Sequence, residues 1–117
     1  MMNAHLNPGR RLTNLRGQTC GVIAGPVLRK TVSSAKHRLQ IPPSWALDLA
    51  HVEQAERAGV RFVELHDTDD NSTWRATLAD FRTFGRRFDR GHGVQLALTL
   101  DHWTHRVPGA PVQLALF

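Results

Sequence analysis

In eight consecutive residues near the C-terminus, Val94 to Asp101, a large aliphatic side chain returns at every second position. Successive side chains of an extended strand point to opposite faces. This run therefore puts Val94, Leu96, Leu98 and Leu100 on a buried face and Gln95, Ala97, Thr99 and Asp101 outside. A chain carrying such a run commits to a sheet with a packed side. The first five letters of the run, VQLAL, return as Val112 to Leu116, so the role of the second copy becomes a question that the rest of the sequence has to answer.

The other segments supply partners for that strand. VLRKTVSS has strand character, and AKHRLQI alternates Ala35, His37, Leu39 and Ile41 against Lys36, Arg38 and Gln40. Pro42 and Pro43 end it. Ser44 is then expected to cap a helix from Trp45 to about Ala58, with Trp45, Leu49, Val52 and Ala55 on one face, Asp48 in the first turn and Gly59 as the stop. VRFVELH reads as a strand buried on both faces. DTDDN and STWRAT complete a β-hairpin, with Trp74 opposed to Thr73 and Arg75. Thr77 is expected to cap a short helix, LADFRTF, with Leu78, Phe81 and Phe84 inward until Gly85, and RRFDRGHG to be a loop. The fold class that follows is α+β: a small antiparallel sheet with one longer and one shorter helix.

At 117 residues the chain has room for one core. The expected organisation is a basic arm over 1–17 carrying Arg10, Arg11 and Arg16, a single α+β domain over 18–105, and a linker with a C-terminal peptide over 106–117. Cys20 is the sole cysteine, which excludes an intramolecular disulfide and any multi-cysteine metal site and points to a reducing, cytoplasmic setting. CGVIAGPVL is broken by Gly and Pro, so neither a signal peptide nor a membrane span is expected. The net charge of +5 comes mostly from arginine, because only Lys30 and Lys36 are lysines. Guanidinium forks suit phosphate and carboxylate.

HDTDD gathers His66, Asp67, Asp69 and Asp70, with His102 and His105 further on. The spacing matches neither a calcium loop nor the zinc pattern of two histidines four apart, and a hairpin turn needs those Asp and Asn residues for backbone hydrogen bonds. No metal or cofactor is expected, although a metal-dependent nuclease using His66, Asp67 and Asp70 stays as an alternative. There is no nucleophile elbow and no phosphate-binding glycine loop, and Cys20 has no sequence neighbour to activate it, so no catalytic residue is expected. Arg82, Arg86, Arg87 and Arg90 form a cluster in which Arg82 and Arg86 lie four apart on a helix face, beside Gly91 and Gly93. A phosphate backbone suits the cluster; so does the C-terminal dipole of a helix. Trp45, Trp74 and Trp103 are either core residues or stacking faces for bases.

Between Trp103 and the second VQLAL lies THRVPGAP, a linker composition. It presents QLALF, Gln113 to Phe117, which resembles the bacterial sliding-clamp-binding peptide. The resemblance implies that Gln113 takes the polar anchoring position, Leu114 the second, Ala115 the tolerant middle, and Leu116 with Phe117 the apolar pair. Taken together with the arginine clusters, it points to a non-enzymatic, DNA-associated accessory protein of replication, repair or a mobile element, tethered to the clamp. Val112, Leu114 and Leu116 also alternate, so the segment equally fits an edge strand completing a homodimer sheet in a structural or regulatory interaction protein.

Overall fold

One parallel strand pair sets the architecture. The computed structural model describes residues 10–13, 19–33, 43–89, 91 and 93–108; AKHRLQI and the terminal QLALF lie outside these. In chain order the elements are β1 (Arg10–Thr13), β2 (Thr19–Ala24), β3 (Val27–Val32), β4 (Ser44–Asp48), α1 (Leu49–Arg57), β5 (Phe62–Asp67), β6 (Thr73–Thr77), α2 (Leu78–Phe84), β7 (Arg86–Asp89), β8 (Val94–Thr99), a 3-10 turn (Leu100–His102) and β9 (Thr104–Arg106). A six-stranded sheet runs β1-β2-β3-β5-β6-β9, and a three-stranded sheet runs β4-β8-β7. Every pairing is antiparallel except β3 with β5, which run parallel from Val27↔Phe62 to Val32↔Asp67. The fold is α+β; among the described residues it has one longer and one shorter helix and its strands fall into two sheets. Among the described residues no helix is long and apolar enough to cross a membrane.

The two sheets and the helices close over one core. Leu12, Leu28, Leu47, Val52, Val63, Leu65, Phe81 and Leu98 are almost fully buried in it. Trp45 of the small sheet meets Trp74 of the large one edge to face, at 5.8 Å between ring centres. Phe81 of α2 and Trp103 form a second edge-to-face pair at 5.6 Å, and the Trp103 indole N–H donates to the Leu98 carbonyl at 3.1 Å. Such pairs add to the area term about 0.5–1.5 kcal/mol each.

Several local expectations hold. The hairpin of β5 and β6 is present, Thr77 Oγ1 accepts the Asp80 N–H at 3.1 Å as an N-cap, and Gly59 follows α1 with φ 80°, the left-handed value that glycine adopts at least cost. Others do not. The first helix begins at Leu49 and not at Trp45, because Ser44 to Asp48 pairs with β8, placing Trp45 opposite Leu98 and Leu47 opposite Leu96. Ser44 is thus a strand residue, and Asp48 occupies the N-cap position without a side-chain bond to the helix. The sequence Trp-Ala-Leu-Asp-Leu fits both a helical and a strand period, and a ready partner strand decides between them.

The strand β5 is buried on one face only: Val63, Leu65 and Asp67 are inside, while Glu64 is half-exposed and His66 exposed. Both described helices and the small sheet pack on the same side, so among the described residues nothing covers the second face. RRFD is a strand hairpinned to β8 and not a loop; Gly91, at φ 80°, donates its N–H to Asp89 Oδ1 and makes the turn. Phe84 is 57% exposed instead of inward, since α2 ends at Gly85 before the next turn can close on the core. The alternating run leaves the sheet at Thr99, and Leu100 opens the 3-10 turn. Arg10 to Thr13, within the segment expected to be an arm, pairs with β2 and buries Leu12. Thr104 to Arg106 pairs with β6.

Truncating the inward Leu98 to Ala should cost about 2–5 kcal/mol in urea unfolding. Phe84→Ala should stay within about 0.5 kcal/mol. A Cβ at Gly85 would collide with the Phe81 carbonyl and touch Leu96, so Gly85→Ala should cost about 1–3 kcal/mol. A silent Leu98→Ala would contradict the assignment of β8 to the core.

Candidate functional site

Alternation along each strand of the six-stranded sheet sends one set of side chains into the core and the other outward. Register then joins the outward set into rows that cross the sheet. One row reads Arg11, Val22, Arg29, Glu64, Arg75, Thr104. A second reads Thr31, His66, Thr73, Arg106, and a third Ala24, Val27, Phe62, Thr77. Arg11, Arg29, Thr31, His66, Arg75, Thr104 and Arg106 are all exposed, so this face is open to solvent.

The face is basic. Among the described strand residues, Arg11, Arg29, Arg75 and Arg106 face one carboxylate, Glu64. Glu64 lies between two of them: Oε1 is 3.3 Å from Arg29 Nε, and Oε2 is 3.9 Å from Arg75 Nη1. Exposed pairs of this kind add little stability, but they orient the guanidinium groups. Arg75 also lies 4.4 Å over the Phe62 ring. The acidic residues of the helical layer, Asp48, Glu53, Glu56, Asp80 and Asp101, sit on elements away from this face.

Of the arginine cluster apparent in the sequence, Arg82, Arg86 and Arg87 point in different directions. Arg82 Nε and Nη2 donate to the two Glu56 oxygens at 2.7 and 2.8 Å, with Glu53 4.0 Å away, so Arg82 ties α2 to α1. Arg82 and Arg86 do not share a helix face, because Gly85 ends the helix between them. Arg86 lies 5.1 Å from the Phe88 ring, and Arg87 alternates to the other face of β7. Arg90 and the terminal Gln113, Leu114, Leu116 and Phe117 lie outside the described residues.

HDTDD builds a turn. The Asp67 N–H donates to the Ser72 carbonyl at 2.8 Å, the Asp69 N–H to Asp67 Oδ1 at 3.0 Å and the Ser72 N–H to Asp70 Oδ1 at 2.9 Å. Asn71 takes a left-handed φ of 63°. Ser33 Oγ donates to Asp69 Oδ2 at 2.8 Å, fastening the end of β3 to the turn. His66 is exposed outward and Asp67 buried inward, on opposite faces of β5. Among the described residues no group of three or more His, Cys, Asp or Glu is placed to hold a metal ion. His102 stacks on Phe84 at 4.6 Å and approaches Asp80, while His105 stacks on Trp74 at 3.8 Å.

One gathering was not visible in the sequence. A bulge in the β1–β2 pairing turns Cys20 toward His51 of α1, and Sγ lies 3.9 Å from both ring nitrogens. His51 Nε2 donates to the Thr13 carbonyl at 3.0 Å, while Nδ1 is 3.7 Å from Asp48 Oδ2. Equal distances mean that the sulfur is not directed along one nitrogen lone pair. The buried imidazole serves as a link between β1, β2 and α1. No local sequence pattern signals it, since Cys20 and His51 are 31 residues apart.

Compared with known protein families, curated proteins and solved structures, the chain shows no match.

Glu56, Asp70 and Asp101 titrate below the ordinary carboxylate range. The Arg82 guanidinium bonded to Glu56 lowers that carboxyl, the Ser72 hydroxyl and N–H lower Asp70, and the Thr99 hydroxyl lowers Asp101. A depressed folded-state value means that the unfolded chain binds more protons in acid. The associated stability is present above the ordinary carboxylate range and is lost as pH falls through the depressed values. Urea midpoints should therefore drop between neutral pH and pH about 3, and the drop should be smaller in Glu56→Gln. An identical drop in that variant would show that the Arg82 pair contributes nothing.

Proposed function

We propose that the protein is a non-enzymatic, DNA-associated accessory protein that holds a phosphate backbone on the outer face of its six-stranded sheet. The supporting observation is the row and flank of Arg11, Arg29, Arg75 and Arg106 on a face that, among the described strand residues, carries one carboxylate, Glu64. Five inter-strand steps of about 4.8 Å make the face about 24 Å wide, room for several phosphates. Each guanidinium neutralises one and releases counterion, which gives affinity without sequence preference. The terminal QLALF supports a second attachment, to a bacterial sliding clamp, through extended docking of Leu114, Leu116 and Phe117. Two weak attachments on one chain reinforce each other through effective concentration.

Binding to a DNA oligonucleotide should fall steeply with salt. Replacing Arg29, Arg75 and Arg106 by Ala should weaken it and flatten the log–log salt slope for each phosphate no longer neutralised, by about 0.9 on a duplex or about 0.7 on a single strand. Arg82→Ala, on the helical layer, should bind as the unmodified chain does. Absence of binding at low ionic strength, or equal binding by the triple variant, would remove the proposal.

Replacing Leu116 and Phe117 by Ala should leave the melting temperature nearly unchanged and abolish clamp binding, whose unmodified Kd is expected on the order of micromolar. A large melting shift together with no clamp binding by the unmodified chain would instead support a homodimer built through the C-terminal strand.

A further inference from the structure

The outer face is not uniformly polar. Beside the arginine row runs an apolar strip in which Ala24, Val27 and Phe62 are joined by register and Val22 is the neighbour of Ala24 on the same side of β2. Val27 is only 9% exposed, and Val22, Ala24 and Phe62 are half-exposed. Along β2 and β3 lies an open groove of about 540 Å³, with Cys20, Gly21, Val22 and Ala24 on the β2 side, Arg29, Lys30 and Thr31 on the β3 side, and His66 beyond. At the other end of the strip the Arg75 guanidinium sits 4.4 Å from the centre of the Phe62 ring.

A surface that meets phosphate alone has no use for such a strip, and apolar side chains kept half in water gain from being covered. A duplex covers them poorly, because its flat base faces are stacked inside and its grooves present only base edges. A single strand carries both parts: phosphates for the guanidinium groups, and unstacked bases whose flat, apolar faces settle on aliphatic and aromatic side chains or against an arginine plane. One strand step separates β3 from β2 and from β5, about 4.8 Å. A nucleotide bound through Arg29 or Arg75 therefore has the strip within the reach of its own base.

We infer that the ligand of this face is single-stranded DNA, its phosphates on Arg29, Arg75 and Arg106 and its bases on the Val22, Ala24 and Phe62 strip. The inference rests on the phosphate-binding reading above and adds the bases to it.

The test uses the full chain at one low salt concentration and three fluorescent probes with about 15 nucleotides per strand: oligo(dT), an abasic strand of the same length and charge, and a blunt duplex. Anisotropy should give at least tenfold tighter binding to oligo(dT) than to either of the others. Ala24→Gln, which fills the groove from a half-exposed position, should bring oligo(dT) down to the abasic value and leave duplex binding unchanged, with an unaltered circular dichroism spectrum. Equal binding of the abasic strand or of the duplex by the unmodified chain overturns the inference and leaves the phosphate reading standing. Failure of all three probes to bind overturns both.

Discussion

The parallel pairing of β3 with β5 governs the remainder of the molecule. Antiparallel neighbours can be joined by a tight turn, but a parallel neighbour is reached only by leaving the sheet and coming back to its starting end. Residues 33–61 make that excursion, and on the way they lay β4 and α1 against one face. A second excursion between β6 and β9 lays α2, β7 and β8 on the same side. The small sheet is built from both, β4 from the first and β7 with β8 from the second. The Arg82–Glu56 pair ties the two excursions together at the surface, and the Trp45–Trp74 contact holds the small sheet against the large one in the core. Both passages fall on one side, so the other face of the six-stranded sheet stays uncovered by the described residues.

That one-sidedness connects fold to function. The inward residues of β2, β3, β5 and β6 are committed to packing, which leaves the outward ones to carry chemistry. They carry arginine and threonine around an apolar strip, with Glu64 holding two guanidinium groups in place. Fixed strands place these groups with less conformational freedom than a loop would allow, which lowers the ordering cost of binding a flexible polymer.

The locally encoded parts of this arrangement are legible in the sequence. Asp and Asn at 67–71 announce the hairpin, Thr77 announces the short helix, Gly59 the end of the longer one, and Val94 to Leu98 a core strand. Each is decided by neighbours a few residues away. Trp45 reads as helical because its surroundings suit either period, and the deciding partner, Leu98, lies on a strand 53 residues later. Arg86 to Asp89 reads as a loop because glycines follow closely, yet those glycines belong to the turn of a hairpin. The basic face is illegible for the same reason as the Cys20–His51 contact. Arg29, Arg75 and Arg106 come from three strands, and only register makes them neighbours. The run of arginines around 82–90 is the more conspicuous feature of the sequence, though its first member is bonded within the fold.

The most direct test of the account is amide chemical-shift mapping of the whole chain during titration with a short single-stranded oligonucleotide at low salt. Perturbations are expected on the outward positions of the six-stranded sheet, at Val22, Ala24, Arg29, Phe62, Arg75 and Arg106, with α1, α2 and β7 little changed. Perturbations confined to Arg82 through Asp89, with the sheet face silent, would contradict the account.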